Sequence, residues 1–435
     1  PYTTLFRSMY TLIGAITLFL ILVTFHEYGH YSVARFFNIK IQKFSIGFGN
    51  DLIKWKNKDG VRFSISAIPL GGYVAFDDPH DVENYEKLTE EEKSRVLANR
   101  PAIERMLVTL AGPIYNFILA FVVFAFVGLF IPKQSDLVSA TVEEYGNSKI
   151  FKVLAVNDET VASAQDFEMK LLNLSGMTGT IEIDLLDYQT QEQTSVTKDV
   201  VNLAFDQENA PSSLFAITPY RDFEPIIGDI ESSSIADLAG LKQGDKILQI
   251  NSMEIQSLLH ANTMLNQYGR QIELVVQRTD SNVRINLPAK TEGTAYGIRL
   301  APESNDLASS IKYGADQTIF WITNTFNILF KMVSGSMGLE SLSGPVGIAK
   351  VAGDSLSSGF IPFLLLLAIL SISLGAFNLL PLPMLDGGQF LFIVVETIKG
   401  SAINLKLKVA LFNLSYLFIM ALFVFVIFND LARVF

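Results

Sequence analysis

Four side chains in this sequence have the types and spacing of a metal centre: His26, Glu27, His30 and Asp386. His26-Glu27-Tyr28-Gly29-His30 sets two imidazoles one helical turn apart. Both then project from one face and can bind one Zn2+ at about 2.0–2.1 Å, leaving Glu27 beside the metal as a general base. A lone motif of this kind on a helix often reports no more than a solvated surface. Here it ends an apolar run of about 17 residues, which as a helix is about 25 Å long, so the histidines are expected inside a membrane near its edge. Ionisable groups in that place are costly to bury and are functional by default.

A catalytic zinc needs a third protein ligand and an open position for water. The candidate is Asp386, which follows Asn378-Leu379-Leu380-Pro381-Leu382-Pro383-Met384-Leu385 and precedes Gly387-Gly388. Pro381 and Pro383 cannot continue a regular helix, so the apolar helix before them is expected to unwind and expose backbone groups to protein or to a water-filled cavity. Asn378 has two readings of equal weight: its amide holds a substrate backbone group, or it caps the broken helix.

The elements that must position these residues are four apolar stretches, at 9–34, 103–131, 360–380 and 409–428, each long enough to span a bilayer. The first and third cross in the same direction and carry their polar motifs at their C-terminal ends, so Asp386 and the histidine pair fall on one side of the membrane. Lys and Arg cluster in the first loop (Arg35, Lys40, Lys43, Lys54, Lys56, Lys58, Arg62, Lys93, Arg95, Arg100) and between the third and fourth spans (Lys399, Lys406, Lys408). Both loops are therefore expected in the cytoplasm, and both termini on the outer side, periplasmic in a Gram-negative cell. Residues 1–8 read as a cloning or adapter scar ahead of Met9, the expected natural start, and nothing after Met9 resembles a cleaved signal peptide.

Within the first loop, residues 35–76 alternate apolar with polar positions about a Lys58-Asp59-Gly60 turn, the pattern of β-hairpins beside the membrane. Gly47, Gly49, Gly71 and Gly72 permit tight turns or close backbone approach, and Gly47 and Gly49 are candidate substrate contacts. Residues 77–101 are charged and expected to form a mobile cytoplasmic connector. Between the second span (102–131) and the third lies an outer region. Its 236–255 stretch, ADLAGLKQGDKILQINSMEI, followed by a helix at 258–268 and strands at 272–277 and 283–287, closely resembles the core of a PDZ domain. The order recurs faintly from 138 to 203. The expectation is a degenerate PDZ module at 132–212 and a clear one at 213–303. After Pro302 an amphipathic region at 304–359 leads to 360–398, and 399–435 holds the last span.

Composition narrows the function classes. Hydrophobic residues make up 49% of 435, and mean hydropathy is positive, which points to a membrane protein. A formal charge of −11 argues against nucleic acid as a partner. With no cysteine, any metal must be held by His, Asp or Glu.

His26-Glu27-x-x-His30 in the first span together with Asn378-x-x-Pro381-x-Pro383-x-Leu385-Asp386-Gly387-Gly388 in the third resembles the site-2 proteases. Ala111-Gly112-Pro113 with Asn116-Phe117, Ser343 to Ala349 (SGPVGIA) and Phe428-Asn429-Asp430 extend the likeness over nearly the whole chain; Gln389 departs from it. The resemblance implies a polytopic α-helical membrane protein with four transmembrane helices, a membrane-associated β-hairpin sheet and a periplasmic tandem of α+β PDZ domains, in a bacterial inner membrane. It further implies His26, His30 and Asp386 as zinc ligands, Glu27 as the base, and Asn378, Pro381 and Pro383 near the substrate. The implied substrates are single-span membrane proteins: an anti-sigma factor already cut by an outer protease, and remnant signal peptides. For the PDZ pair two readings stand, capture of a peptide C-terminus through the Leu214-Phe215-Ala216-Ile217 loop, with Phe215 and Ile217 as contacts, or a steric gate. The gate is favoured because Pro219 interrupts a conventional groove. A catalytically inactive membrane PDZ scaffold is the non-enzymatic alternative; a transporter is a third, disfavoured by the lack of an internal repeat among the spans.

Overall fold

The computed structural model describes the chain apart from residues 1, 78–84, 133, 146–148, 189, 204–209, 267–270, 280, 290–294, 302–304, 336, 339–342 and 435. The end of the helix expected at 258–268, the start of the connector and Pro302 thus lie outside the described residues. Two compact units are formed, one of Pro1–Val127, Ser310–Phe330 and Gly338–Phe435, the other of Gly128–Ser309 and Lys331–Met337. Among the described residues, four helices are long and apolar enough to cross a membrane: Met9–Phe36, Ala102–Gly128, Phe360–Asn378 and Leu405–Ala432.

The first unit opens with helix α1 (Tyr2–Phe36), then strands β1 (Ile41–Lys56) and β2 (Arg62–Phe76). These two strands pair with each other more than once. Phe44 partners both Val74 and Phe63, and Phe63 also partners Trp55, so the sheet folds into four strips in the order 53–56, 62–65, 43–46, 72–76. Gly47 and Gly49 make the fold possible: both hold positive φ, +91° and +86°, where side chains are strained, and a Cβ on Gly47 would meet the Ile68 carbonyl oxygen at 2.8 Å. Strip 72–76 is an outer edge, and it lies against α1, where a Cβ on Gly72 would touch Val23 and Glu27. Tyr31, Ala34, Phe44 and Val61 seal the sheet to the helix end.

The connector is anchored over its described part. Helix α2 (Glu90–Ser94) carries a capping box in which Thr89 and Glu92 each satisfy the other's backbone N–H. Glu92 also binds Lys40 at 2.8 Å, Arg95 donates to the Asn38 carbonyl, and Val96 is fully buried. Charge alone suggested a loose segment; here the charges are paired. Helix α3 (Ala102–Gly128) follows.

In the second unit the chain runs β3 (Gln134–Val142), β4 (Phe151–Val156), β5 (Glu159–Thr160), α4 (Ala164–Leu172), β6 (Gly179–Asp187), β7 (Gln193–Val200) and β8 (Ile217–Phe223). It continues β9 (Ile227–Ile230), α5 (Ile235–Leu238), β10 (Lys246–Ile250), β11 (Met253–Glu254), α6 (Leu258–Leu265), β12 (Ile272–Arg278), β13 (Ser281–Leu287) and β14 (Ile298–Leu300). The first sheet has the order β7-β6-β4-β3-β8, with β5 beside β4. In the second half β11-β10-β12-β13 and β14-β9 are joined by the Ile226–Lys246 bridge, which gives the same path. The two modules repeat in detail. Asn157 and Asn251 both take the left-handed conformation, and their side-chain oxygens accept from the backbone N–H of Glu182 and Glu273 at 2.8 and 2.9 Å. Ser163 and Ser257 both cap the following helix. Each module has its own apolar core.

The repeat moves the boundary between modules. Strand β8 pairs with β3, and Phe215 and Ile217 are 4% and 2% exposed in the first core, so the chain leaves the first module after residue 223 rather than at 212. Their counterparts are Tyr296 and Ile298, with Ala216 and Gly297 both at positive φ between them. The modules dock through Tyr188, stacked on His260 with ring centroids 4.3 Å apart, and Ser257, which donates to the Tyr188 hydroxyl.

The chain closes with α7 (Leu307–Val333), α8 (Pro345–Ser358), α9 (Phe360–Asn378), α10 (Asp386–Lys399) and α11 (Leu405–Val434). Glycines let backbones touch: a Cβ on Gly14 would meet the Ala352 carbonyl at 2.8 Å, and one on Gly375 would meet Phe117 at 2.8 Å. The buried Asp430 carboxylate accepts from the N–H groups of Gly344 and Gly347, both at 2.9 Å, and so caps α8 from α11.

Candidate metal centre

Three elements converge on one point. His26 and His30 leave the same face of α1, and Asp386 is the first residue of α10, just past the break after α9. The break is tightly curled: a Cβ on Gly387 would lie 2.2 Å from the Leu379 carbonyl oxygen and one on Gly388 2.1 Å from that of Leu382. Glycine at both positions is what lets the proline loop return close enough to aim Asp386 at the histidines. Gln389, the departure from the family pattern, donates to the Pro383 carbonyl at 3.1 Å and ties the loop to α10.

His26 Nε2 lies 3.2 Å from Asp386 Oδ2, His30 Nε2 lies 3.5 Å from Asp386 Oδ1, and the two Nε2 atoms are 3.3 Å apart. Donors about 2.0–2.1 Å from a tetrahedral ion sit about 3.3–3.4 Å from one another, and these three residues could hold a metal ion, with one ligand atom from each within 4.8 Å of the others. Asp386 Oδ2 is buried without a hydrogen bond of good geometry, as a carboxylate oxygen directed at a cation would be. Two imidazoles and one carboxylate are a donor set that suits zinc. Helix α3 supplies the floor: a Cβ on Gly112 would lie 2.4 Å from His30 Nε2 and 2.7 Å from His26 Cε1. It also supplies orientation, because the Val108 carbonyl lies 2.8 Å from His30 Nδ1. A carbonyl only accepts, so His30 carries its proton on Nδ1 and turns the Nε2 lone pair inward. Glu27, next to His26, lies beside the 72–76 strip: a Cβ built on Gly72 would come within 3.1 Å of its Cγ.

A profile of peptidase family M50 matches residues 14–422. The chain belongs to that family. As a member of M50 it is a zinc metalloendopeptidase by family. It is 30% identical over 439 aligned residues to the regulator of sigma E protease of Haemophilus influenzae, covering 95% of this chain and 96% of that protein. The corresponding proteins of Escherichia coli and Salmonella typhi are 30% and 29% identical over the same shares.

The remaining sequence candidates are placed as follows. Asn378 donates its amide to the Leu374 carbonyl at 3.0 Å, one turn back within α9. Pro381 and Pro383 lie in the break. Gly47 and Gly49 form the bend of the sheet, and Phe215 and Ile217 are core residues of the second unit. Sequence reasoning missed Val108 as an orienting carbonyl, which no side-chain pattern could reveal. Gly112 and Asn116 stand in a stretch that resembles the family, but their residue types mark no task for either.

Proposed function

We propose that this M50 peptidase hydrolyses peptide bonds within transmembrane segments of single-span membrane proteins. The observation that carries the reading is the meeting of His26 and His30, inside one helix apolar enough to cross a membrane, with Asp386, just past the end of another. His26 Nε2, His30 Nε2 and the Asp386 carboxylate would hold the zinc, which supplies Lewis acidity when bound. Glu27 takes the proton of the attacking water and delivers it to the leaving amine. A helical substrate has its carbonyls hydrogen-bonded internally and must unwind to be cut. The outer strip 72–76, which lies beside Glu27, offers an edge along which the unwound segment adds as a strand.

The basic residues of the first loop put the metal centre toward the cytoplasm and the second unit outside the inner membrane. Its two modules are a PDZ tandem acting as a gate that admits substrates whose outer domains have been trimmed. Burial of Phe215 and Ile217 supports the gate over capture of a C-terminus through their side chains. The names of the relatives concern sigma-E regulation; by that likeness the substrate is an anti-sigma factor already cut on the outer side, with remnant signal peptides a second class. The intact Glu27 and ligand trio speak against an inactive scaffold.

Purified chain in liposomes is expected to cleave a model transmembrane peptide. Glu27→Gln is expected to lower the rate by about 10²–10⁴ while zinc is retained. Undiminished cleavage by Glu27→Gln would overturn the mechanism.

A further inference from the structure

Asn116 is fully buried in α3, and its side-chain nitrogen Nδ2 lies 3.1 Å from His26 Nδ1. The other end makes no hydrogen bond. Its own backbone carbonyl accepts from the buried Ser371 Oγ at 2.8 Å, so the residue is locked between α3 and α9. An amide turned through half a turn fills the same space with nitrogen and oxygen exchanged, so either end can face the imidazole.

The chemistry of ligation chooses between them. An imidazole binds a cation through a bare ring nitrogen, and His26 Nε2 is the nitrogen that faces Asp386 and His30. Its proton must then sit on Nδ1, where a buried N–H needs an acceptor. With the amide nitrogen facing Nδ1, the proton would instead be forced onto Nε2 and block it. For His30 the Val108 carbonyl does this task; for His26 the group within reach is Asn116. We propose that Asn116 is a positioning residue of the metal centre, its amide oxygen accepting the Nδ1–H of His26 and so directing Nε2 at the ion. This rests on the reading of His26, His30 and Asp386 as ligands.

The test is zinc affinity, measured on the full chain in detergent by competition with a chromogenic chelator. Asn116→Leu, close in shape but unable to accept, is expected to weaken zinc binding about 10–100-fold. Asn116→Asp, which accepts and never donates, is expected to bind zinc at least as tightly as the parent chain. A role in packing alone, which the similar shape of leucine preserves, would leave the zinc affinity of a folded Asn116→Leu near the parent value. Wild-type affinity in Asn116→Leu, or a tenfold loss in Asn116→Asp, would overturn the proposal. Should Asn116→Leu not fold, Asn116→Asp decides alone. His26→Ala separates the two levels: if it loses zinc while Asn116→Leu does not, only this inference falls. If His26→Ala binds zinc normally, the ligand reading falls and this proposal with it.

Discussion

A Cβ placed on Gly112 would lie 2.4 Å from Nε2 of His30, so α3 packs against the metal centre through a residue that has no side chain. That distance is well inside van der Waals contact, and the neighbour is a ring fixed at its other nitrogen by Val108. The ring cannot retreat without giving up that bond.

Gly112→Ala is therefore expected to displace His30 and reduce bound zinc at least tenfold, with peptide cleavage falling in proportion. Helix content should not change, since alanine favours the helix by about 1 kcal/mol over glycine. Zinc content beside circular dichroism checks both halves. Normal zinc in a folded Gly112→Ala protein would contradict the packing.

Asp430 caps α8 with a buried carboxylate, so truncating it strands two N–H groups. Asp430→Ala is expected to destabilise the first unit by about 2–6 kcal/mol, at about 1–3 kcal/mol for each unsatisfied group. Asp430→Asn should recover part of that loss. Thermal unfolding in detergent gives the order wild type, Asn, Ala; equal stability of all three would refute the clamp.

The duplicated turns of the second unit should respond alike. Asn157→Ala and Asn251→Ala each put alanine at positive φ and remove a side-chain hydrogen bond, a loss of about 1–3 kcal/mol in either module. Chemical denaturation of the full chain, followed by a probe in the second unit, measures it. A large effect at one turn and none at the other would deny their equivalence.

Acid should release the connector. The Lys40 ammonium, with the Thr89 backbone N–H, holds the Glu92 carboxyl down at about 2 against an ordinary 4.5. A depressed carboxylate stabilises fully above its ordinary value and loses that effect as the pH falls from about 4.5 toward 2. Hydrogen exchange across 88–100 is expected to quicken over that window in the wild type and to lack this step in Glu92→Gln. A step surviving in Glu92→Gln would assign it to another group.

Much of this was legible from residue types. Apolar length marks the spans, and alternation about Lys58-Asp59-Gly60 marks strands, because both signals are local. The doubled register of β1 was not legible: Phe44 faces Val74 and Phe63 at once, and pairing across 30 residues leaves no local trace. For the same reason residue pattern places β8 with the second module, although its partner β3 lies about 80 residues back. At the metal centre the ligands announce themselves by chemistry, whereas their supports do not. Val108 acts through its backbone and Gly112 through the absence of a side chain. Asn116 acts through an amide that any buried asparagine carries.

The central claim is that His26, His30 and Asp386 hold one zinc ion. Zinc K-edge absorption spectroscopy of the purified chain tests it most directly. The expected result is one zinc per chain, with two imidazole nitrogens and carboxylate oxygen at about 2.0–2.2 Å, and loss of that spectrum in Asp386→Ala. A zinc shell without imidazole, or one unchanged by Asp386→Ala, would contradict it.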